Sequence, residues 1–293
     1  MLRTDFPNYS QAASTGAVTA QNKYFKLVGI DLVSMIIASA LSIYNYQAEE
    51  SKQWFYVISG LLLLGSIVLT FLLKIKKYEE IWFHGRAMAE ECKTLSWLYI
   101  CRSKPFETED AQTAQRAFRS AIVNIADRHR DLVKSLDPQI ISRKLITPRM
   151  EEIRAMSLLE RKDYYRKNRI ESQILWYTEK AGYNMNKYNF WFWIIFFSQA
   201  TSVISIIILI VRPSFEWNLV ALFTTISATA LSWLQTKKHQ ELSHSYLAAV
   251  DQLNVILYDI DELNTEEEFS NFVLKSEGAI SLEHNLWISR RQL

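Results

Sequence analysis

The chain has 293 residues, about half of them apolar and many aromatic, with only 7 Gly and 5 Pro. Scarce helix breakers beside abundant Leu, Ile, Trp and Tyr favour long α-helices over many short strands. The net charge is only +2, with a basic middle and an acidic C-terminal part, and no groove-reading motif accompanies the basic part, so we expect no nucleic-acid partner.

Four apolar runs each come close to the ~20 residues that a helix needs to cross a hydrocarbon core. They span residues 27–44, 54–73, 190–211 and 215–234. Tryptophan and tyrosine cluster at their ends, as in the aromatic belts of membrane proteins. We predict an all-α polytopic membrane protein, with four transmembrane helices in two hairpins and extended cytoplasmic helices.

Lysines near the predicted spans set their orientation. Nine lie on one side: Lys23, Lys26, Lys74, Lys76, Lys77, Lys180, Lys187, Lys237 and Lys238. Only Lys52 and Arg212 lie on the other side. The positive-inside rule therefore predicts a multi-pass protein of the inner (cell) membrane with both termini and the central region in the cytoplasm, and with the lipid bilayer as a partner.

The two hairpins resemble copies of one unit. Lys76-Lys77 follows the first hairpin and recurs as Lys237-Lys238, 161 residues later. In each copy we expect the second span to continue as one helix into the cytoplasm. Three segments are predicted: a first unit at 1–106, a helical connector at 107–156 and a second unit at 157–293.

The helix predicted after the first hairpin carries two stripes. A heptad-like seam predicts packing on another helix and consists of Ile81, Gly85, Met88, Cys92, Leu95 and Tyr99. The second stripe consists of Trp82, Arg86, Glu90, Lys93 and Trp97. Glu90 is spaced to pair with Arg86 and with Lys93. This coupling stripe predicts either an assembly face or a ligand face, on which the tryptophans stack and Arg86 or Lys93 binds a phosphate.

A capping box at Ser157 and Glu160 predicts the start of a later helix. Its basic run consists of Arg161, Lys162, Arg166, Lys167 and Arg169. The run predicts either a solvated face or contacts to lipid headgroups or a nucleotide phosphate. The acidic stretch 259–268 is expected to pair with the basic middle.

Small polar residues recur at helical spacing inside the predicted spans. The third span has Ser198, Ser202 and Ser205, and the fourth has Thr225, Thr229 and Ser232. Such faces either allow close helix packing or line a water-filled pathway, and both interpretations stay open here.

Catalytic and metal-binding motifs are missing from the sequence. Cys92 and Cys101 lie too far apart in one helix for a disulfide and are expected to be reduced thiols. No spacing suits metal ligands, and there is neither a nucleophile triad nor a Gly-rich phosphate loop. We therefore predict no metal, no cofactor and no enzymatic activity.

Two sets of residues resemble a known family. The first follows the first hairpin: Trp82, Arg86-Ala87, Ala89-Glu90, Lys93, Trp97, Tyr99 and Pro105-Phe106. The second flanks the second hairpin: Arg169, Gln173, Trp176-Tyr177, Lys180-Ala181, Glu277, Ala279-Ile280-Ser281, Glu283-His284 and Trp287. The first set resembles the motif of the SLATT domain, and the second is similar to another SLATT type.

The resemblance implies a tandem of two-transmembrane effector domains. SLATT domains accompany nucleotide-second-messenger synthases and SLOG-type sensors in prokaryotic conflict systems. The resemblance therefore implies antiviral defence by a pore-forming homo-oligomer that permeabilises the membrane, triggered by a cyclic nucleotide or by a nucleotide-signalling partner protein. The alternatives are a membrane scaffold or a housekeeping ion channel without a defence role.

Overall fold

The structure is a computed structural model that describes residues 1–44, 52–215 and 217–292, with no side-chain description at residues 44, 52, 53 and 282–292. The described residues are helical without a strand, which confirms the all-α prediction. Twelve α-helices occur in them: α1 Asn8–Tyr44, α2 Lys52–Lys76, α3 Tyr78–Ile100, α4 Ala111–Arg128, α5 Arg130–Val133, α6 Pro138–Ile141, α7 Pro148–Arg154, α8 Leu158–Tyr165, α9 Ser172–Val211, α10 Val220–Lys237, α11 His239–Asp259 and α12 Glu266–Gln292.

Three helical stretches are long and apolar enough to cross a membrane by length and composition. They are Asn8–Ile43, Trp54–Ile100 and Leu158–Val211. They contain the first three predicted spans, so the chain is that of a membrane protein. Little of the apolar part of any of them is buried within the protein, as expected of helices surrounded by lipid.

The fourth predicted span, residues 215–234, coincides only in part with a helix. Helix α10 begins at Val220, and the Asn218 side chain accepts a hydrogen bond from the Val220 amide at 3.2 Å. Helix α10 therefore covers the predicted span from residue 220 onward, and the fourth span stays a prediction. A polar stretch around Asn218 delays the helix, and the threonines and serines of α10 leave it less apolar than the other three stretches.

The described chain divides into two compact units. The polar unit comprises Met1–Gln21, Glu79–Ala181 and His244–Leu293, and the apolar unit comprises Asn22–Tyr78 and Gly182–Ser243. Each unit therefore draws on both predicted hairpin copies. The predicted boundaries at 106 and 156 fall inside the polar unit and stay predictions.

Side chains from neighbouring helices meet inside the apolar unit. Ser66 on α2 donates a hydrogen bond to the Asp31 carboxylate on α1. The Thr225 hydroxyl on α10 lies 3.2 Å from the Ser39 hydroxyl on α1. Trp233 on α10 packs edge-on against Phe25 on α1, with ring centroids 6.1 Å apart. Helix α1 thus contacts both α2 and α10 through paired polar groups and aromatic rings.

Large apolar side chains of the apolar unit point away from the protein on α2 and α9. Leu61, Ile67 and Phe71 of α2 are each more than 60% exposed, and Ile210 and Val211 at the end of α9 are more than 70% exposed. A face of this size would be costly in water, and a hydrocarbon environment removes that cost. These two helices therefore have the surface expected of membrane spans.

Both hairpin copies have a left-handed lysine at the same place. Lys77 has φ 47° and Lys238 has φ 52°, and these residues are 161 positions apart. Each ends one helix, α2 or α10, and the next helix begins directly after it. The prediction of one continuous helix through each position is wrong, because a single left-handed residue interrupts the helical path. The equivalent break supports a duplicated unit.

The seam of α3 packs against the start of α1 inside the polar unit. A Cβ atom at Gly85 would lie 3.1 Å from both the Ala13 carbonyl oxygen and the Ala17 Cβ, so the two helices approach too closely for a larger residue. The Ser10 hydroxyl donates to the Ala89 carbonyl at 3.2 Å. The seam residues Gly85, Met88, Cys92 and Tyr99 are buried, whereas Ile81 and Leu95 are partly exposed.

Candidate functional site

A cavity of about 680 Å³ lies within the polar unit. Its walls come from α3, the end of α4, the π-helical turn Arg166–Glu171, the start of α9 and α12. A π-helical turn is rare and is often found at functional sites. The turn contributes Asn168 and Arg169 to the cavity, and α9 contributes Trp176 and Tyr177. This cavity is the candidate site.

The coupling stripe predicted on α3 supplies one wall. Arg86, Glu90, Lys93 and Trp97 line the cavity together, as residues on one face of a helix can. Trp82 does not line it and is buried elsewhere in the polar unit, stacked on Phe83 with ring centroids 5.2 Å apart. Four of the five stripe residues are therefore brought together at one cavity.

Glu90 is the centre of a charge cluster on that wall. The Lys93 ammonium donates to the Glu90 carboxylate at 2.9 Å. Burial alone would raise the pKa of Glu90, but the charges of Lys93 and Arg86 outweigh it and lower the pKa to about 2. Glu90 is therefore ionised at neutral pH.

A second carboxylate, Glu91, is held by α4 and the residue that follows it. The Arg128 guanidinium donates to Glu91 at 2.6 Å, and His129 Nε2 lies 3.3 Å from the other Glu91 oxygen. Glu91 and Arg128 both line the cavity. Sequence reasoning missed this pair, because 37 residues separate its members and no local pattern links them.

Arg169 forms a buried, bidentate ion pair with Glu277 on α12. Both nitrogen-to-oxygen distances are 2.7 Å, and both side chains are at most 5% exposed. The Tyr165 hydroxyl donates to the same carboxylate at 3.0 Å. Burial alone would lower the pKa of Arg169, but Glu277 raises it above its ordinary value, so the guanidinium stays charged. The pairing of these two residues was not predicted.

Trp97 is at the junction of the cavity and the core. Its ring is 2% exposed, packs edge-on against Tyr165 at 5.6 Å and lies 5.6 Å from the Arg169 guanidinium carbon. Its indole N–H is buried and has no hydrogen-bond acceptor among the described residues. Buried donors of this kind are rare in folded proteins and call for an explanation.

The other residues of the basic run bind protein groups. Arg161 is buried, donates to the Cys101 carbonyl at 2.8 Å and pairs with Glu266. Its side chain therefore does not lie on an exposed face, because the core and the C-terminal acidic stretch provide its acceptors. Lys162 donates to the Leu263 carbonyl at 3.0 Å.

Arg166 pairs with Asp261 at 2.6 Å and with Glu171 at 3.0 Å, so the predicted pairing of the acidic stretch with the basic middle is confirmed. Lys167 pairs with Asp163 at 2.9 Å and is largely exposed. Contacts of the run with lipid or phosphate stay predictions. The capping box that begins this helix is confirmed: the Ser157 hydroxyl accepts from the Glu160 amide, and Glu160 accepts from the Ser157 amide.

The polar face predicted on the third span is buried in the apolar unit. Ser198, Ser202 and Ser205 are each at most 8% exposed, and the Ser202 hydroxyl lies 3.1 Å from that of Thr224 on α10. The Ser205 hydroxyl donates to the Thr201 carbonyl of its own helix at 2.8 Å.

The three residues of the polar face predicted on the fourth span differ in solvent exposure. Thr229 is buried, Thr225 is partly exposed, and Ser232 is exposed. Each of these hydroxyls donates to a carbonyl of its own helix, at 2.8–2.9 Å. Hydroxyls satisfied in this way suit both helix packing and contact with water, so the two interpretations of the face stay open.

The thiols and acidic groups offer no alternative site. Cys92 and Cys101 are buried and unpaired. Burial raises the pKa of the Cys92 thiol to about 12, so it is not a reactive thiolate. Within the described part of the chain, no group of three or more His, Cys, Asp and Glu side chains could hold a metal ion.

Comparison with known families matches the chain in two consecutive segments. Residues 7–162 match SLATT_3, described as "SMODS and SLOG-associating 2TM effector domain 3". This chain belongs to the SLATT family. Residues 165–287 match SLATT_1, the corresponding effector domain 1, so the protein is a tandem of two SLATT domains. No curated protein and no solved structure matches it.

The cavity combines residues of both SLATT domains. Arg86 and Trp97 belong to the first match, and Arg169, Trp176 and Ile280 belong to the second. All five are among the motif residues quoted for the resemblance. The last three residues of the second set, Glu283, His284 and Trp287, lie outside the described side chains. Each motif thus supplies part of a site that neither domain's sequence could predict alone.

Proposed function

We propose that this SLATT protein is a membrane effector of a prokaryotic anti-phage or conflict system that assembles from several copies and permeabilises the inner membrane on a cytoplasmic signal. The observation that carries the proposal is the pair of consecutive matches to two-transmembrane effector domains. The proposal includes four spans with both termini in the cytoplasm, because most lysines near the predicted spans lie on the side that contains the termini. The proposal includes no enzymatic step.

The helix α9 supports a link between signal and membrane. It is one helix of 40 residues that contains both the cavity residues Trp176 and Tyr177 and the predicted span 190–211. Since the two parts are continuous in one helix, a signal that acts on the cavity has a covalent route to the membrane span.

The hydroxyl face of α10 supports a pathway between copies. Ser232 is exposed on a predicted span, where a polar side chain facing lipid is unfavourable unless another copy or water covers it. Its hydroxyl already donates to the Ala228 carbonyl at 2.9 Å, so lone pairs remain for water. Assembly of several copies around this face would produce a pore lined by hydroxyls.

The first test of the proposal is membrane permeability. We expect expression in a bacterial host to depolarise the membrane and stop growth when the signalling system is active, and purified protein to release dye from lipid vesicles in the presence of the signal. A membrane scaffold without a pore predicts partner co-purification and tight vesicles. A housekeeping channel predicts conductance without growth arrest.

The second test separates pore lining from packing. The combined variant Thr225→Leu, Thr229→Leu and Ser232→Leu should lower conductance strongly while assembly survives, because it replaces the hydroxyl face with lipid-like side chains. The control is Thr201→Leu on α9, which removes a hydroxyl bonded to its own helix but outside the predicted face. Loss of assembly with unchanged single-channel conductance would assign the face to packing instead.

A further inference from the structure

A groove in the surface of the apolar unit is the starting point for a further inference. It has a volume of about 380 Å³ and is lined by residues of α9 and α10. One face of α9 supplies most of the lining, including Phe190, Trp193 and Phe197, and α10 contributes Phe223. All four residues belong to the apolar unit. We call this surface the α9 groove.

The aromatic rings of the α9 groove are open to the surroundings. Phe190, Trp193 and Phe197 are each more than half exposed. Trp193 and Phe197 stack on each other with ring centroids 5.6 Å apart, so they form one continuous apolar surface. Contact with a hydrocarbon chain removes the free-energy cost that such rings would have in water. The groove is therefore suited to an acyl chain.

A lysine lies at the N-terminal end of the groove. Lys187 precedes Phe190 by three positions, and its ammonium nitrogen is 5.8 Å from the centroid of the Phe190 ring and 5.7 Å from that of the Tyr183 ring. These cation–π contacts hold the charge beside the aromatic surface. Lys187 is exposed and forms no ion pair with another described residue, so its three N–H donors can bind an anion.

The length of this face of α9 matches one leaflet of a bilayer. Lys187 and Phe197 are ten positions apart in one helix, which corresponds to a rise of about 15 Å. That is half of the ~30 Å hydrocarbon core. The lysine distribution predicts that this end of the span is cytoplasmic. A lipid whose headgroup is at Lys187 therefore has its acyl chain along the rings of the groove.

We propose that the α9 groove binds one anionic phospholipid of the cytoplasmic leaflet. The Lys187 ammonium donates to the lipid phosphate, and one acyl chain lies along Phe190, Trp193 and Phe197. Basic sites beside membrane helices on the cytoplasmic side recognise anionic headgroups in this way. A zwitterionic lipid has the same phosphate but adds a quaternary ammonium group, which Lys187 repels. The inference goes beyond the proposed function, because this lipid site requires neither a signal nor a pore.

Lipid binding is measured on the full chain purified in detergent, by native mass spectrometry during titration with defined lipids. The probes are dioleoyl phosphatidylglycerol, dioleoyl phosphatidylcholine and glycerol 3-phosphate. We expect phosphatidylglycerol to bind at least about tenfold more tightly than phosphatidylcholine, and glycerol 3-phosphate not to bind below about 1 mM, because it lacks acyl chains. Binding of glycerol 3-phosphate as tight as that of phosphatidylglycerol would assign the site to a free phosphate and contradict the inference.

Lys187→Gln tests the headgroup contact. It removes the charge, and we expect the affinity for phosphatidylglycerol to fall about tenfold, to that for phosphatidylcholine, with a weaker dependence on salt. The matched control is Lys26→Gln. Lys26 is also an exposed lysine beside the N-terminal end of a predicted span, but it belongs to α1 and does not line the α9 groove. The control variant should bind both lipids as the unmodified protein does.

Phe197→Ala tests the acyl-chain contact. It removes an exposed ring from the groove, and we expect binding of both phospholipids to weaken about tenfold. The matched control is Phe196→Ala. Phe196 is the adjacent residue, is about half exposed and also contacts Trp193 with ring centroids 5.6 Å apart, but it does not line the groove. A difference between these two variants therefore reports the groove contact.

Three outcomes overturn the inference: the two phospholipids bind equally well, Lys187→Gln binds phosphatidylglycerol as Lys26→Gln does, or Phe197→Ala binds lipid as Phe196→Ala does. A second copy of the chain is the competing occupant of the groove. In that case Phe197→Ala lowers the oligomeric mass and leaves lipid binding unchanged, which also contradicts the inference. None of these measurements involves leakage, so the lipid site and the proposed pore succeed or fail separately.

Discussion

The polar and apolar units bury polar groups in different ways. The polar unit encloses full charges: Arg169 and Glu277 are both buried, and Arg161 is buried although its partner Glu266 is more than half exposed. The apolar unit relies mainly on hydroxyls, such as Ser202 with Thr224, with few charged groups.

The surroundings explain this difference. In the polar unit, aromatic residues cover the ion pairs, and the buried guanidiniums donate to carboxylate and carbonyl oxygens, so strong hydrogen bonds offset the cost of burial. Helices surrounded by lipid gain little from hydrophobic contact with one another, so close packing of small residues and weak interhelical hydrogen bonds hold them together. The loss of one polar group should therefore lower the free energy of unfolding by different amounts in the two units.

The largest effect is expected in the polar unit from Arg169→Met. This variant leaves Glu277 charged and buried without its partner, and we expect the free energy of unfolding to fall by roughly 3–5 kcal/mol. Hydrogen exchange of α3 and α12 measures it locally. The control combines Arg169→Met with Glu277→Met and should recover most of the loss. A double variant as unstable as the single one would show that packing around the pair, and not the unpaired charge, determines stability.

An intermediate effect of opposite sign is expected at the left-handed lysines. Lys77→Gly or Lys238→Gly relieves the cost of a side chain at positive φ, and the melting temperature should rise, corresponding to about 0.5–1 kcal/mol. Lys74→Gly is the control, because Lys74 lies within α2, where glycine should destabilise the helix. Lower stability for both glycine variants would indicate that the lysine side chains contribute more than the backbone strain.

The smallest effect is expected in the apolar unit from Ser202→Ala. Loss of one hydroxyl contact between α9 and α10 should cost about 0.6 kcal/mol, the average for hydrogen bonds between membrane helices. A double-mutant cycle with Thr224→Val measures the coupling in detergent. Thr201→Val removes a hydroxyl bonded only within its helix and should show no coupling. A coupling as large as that of Arg169 and Glu277 would remove the contrast between the units.

Helix content, apolar runs and family were all predictable from the sequence. Each rests on residues close together in the chain: about twenty apolar residues in a row, a capping box over four positions, or a motif along one helix face. The stripe of Arg86, Glu90, Lys93 and Trp97 was predicted as one face for the same reason, and the structure places these residues along one wall.

The sequence misplaced the local features that depend on single backbone angles. The left-handed turns at Lys77 and Lys238 lack the glycine or asparagine that usually marks such a turn. A continuous helix was therefore predicted at both positions. At the start of α10 the Asn218 side chain accepts a hydrogen bond from the Val220 amide, but asparagine is too common a residue to mark a boundary alone. The backbone conformation at such positions depends on small energy differences, which the packing of neighbouring residues can reverse.

The sequence by itself determined that this protein is helical, enters a membrane and belongs to the SLATT family, because periodicity and composition act over short distances along the chain. Only the tertiary structure decided that the two domain motifs share one cavity, that Arg169 pairs with Glu277, and that the Trp97 donor has no partner. Those facts depend on residues that are far apart in the chain, as with the 108 positions that separate the two members of the ion pair. Helical periodicity specifies which side a residue faces but not what it will meet there.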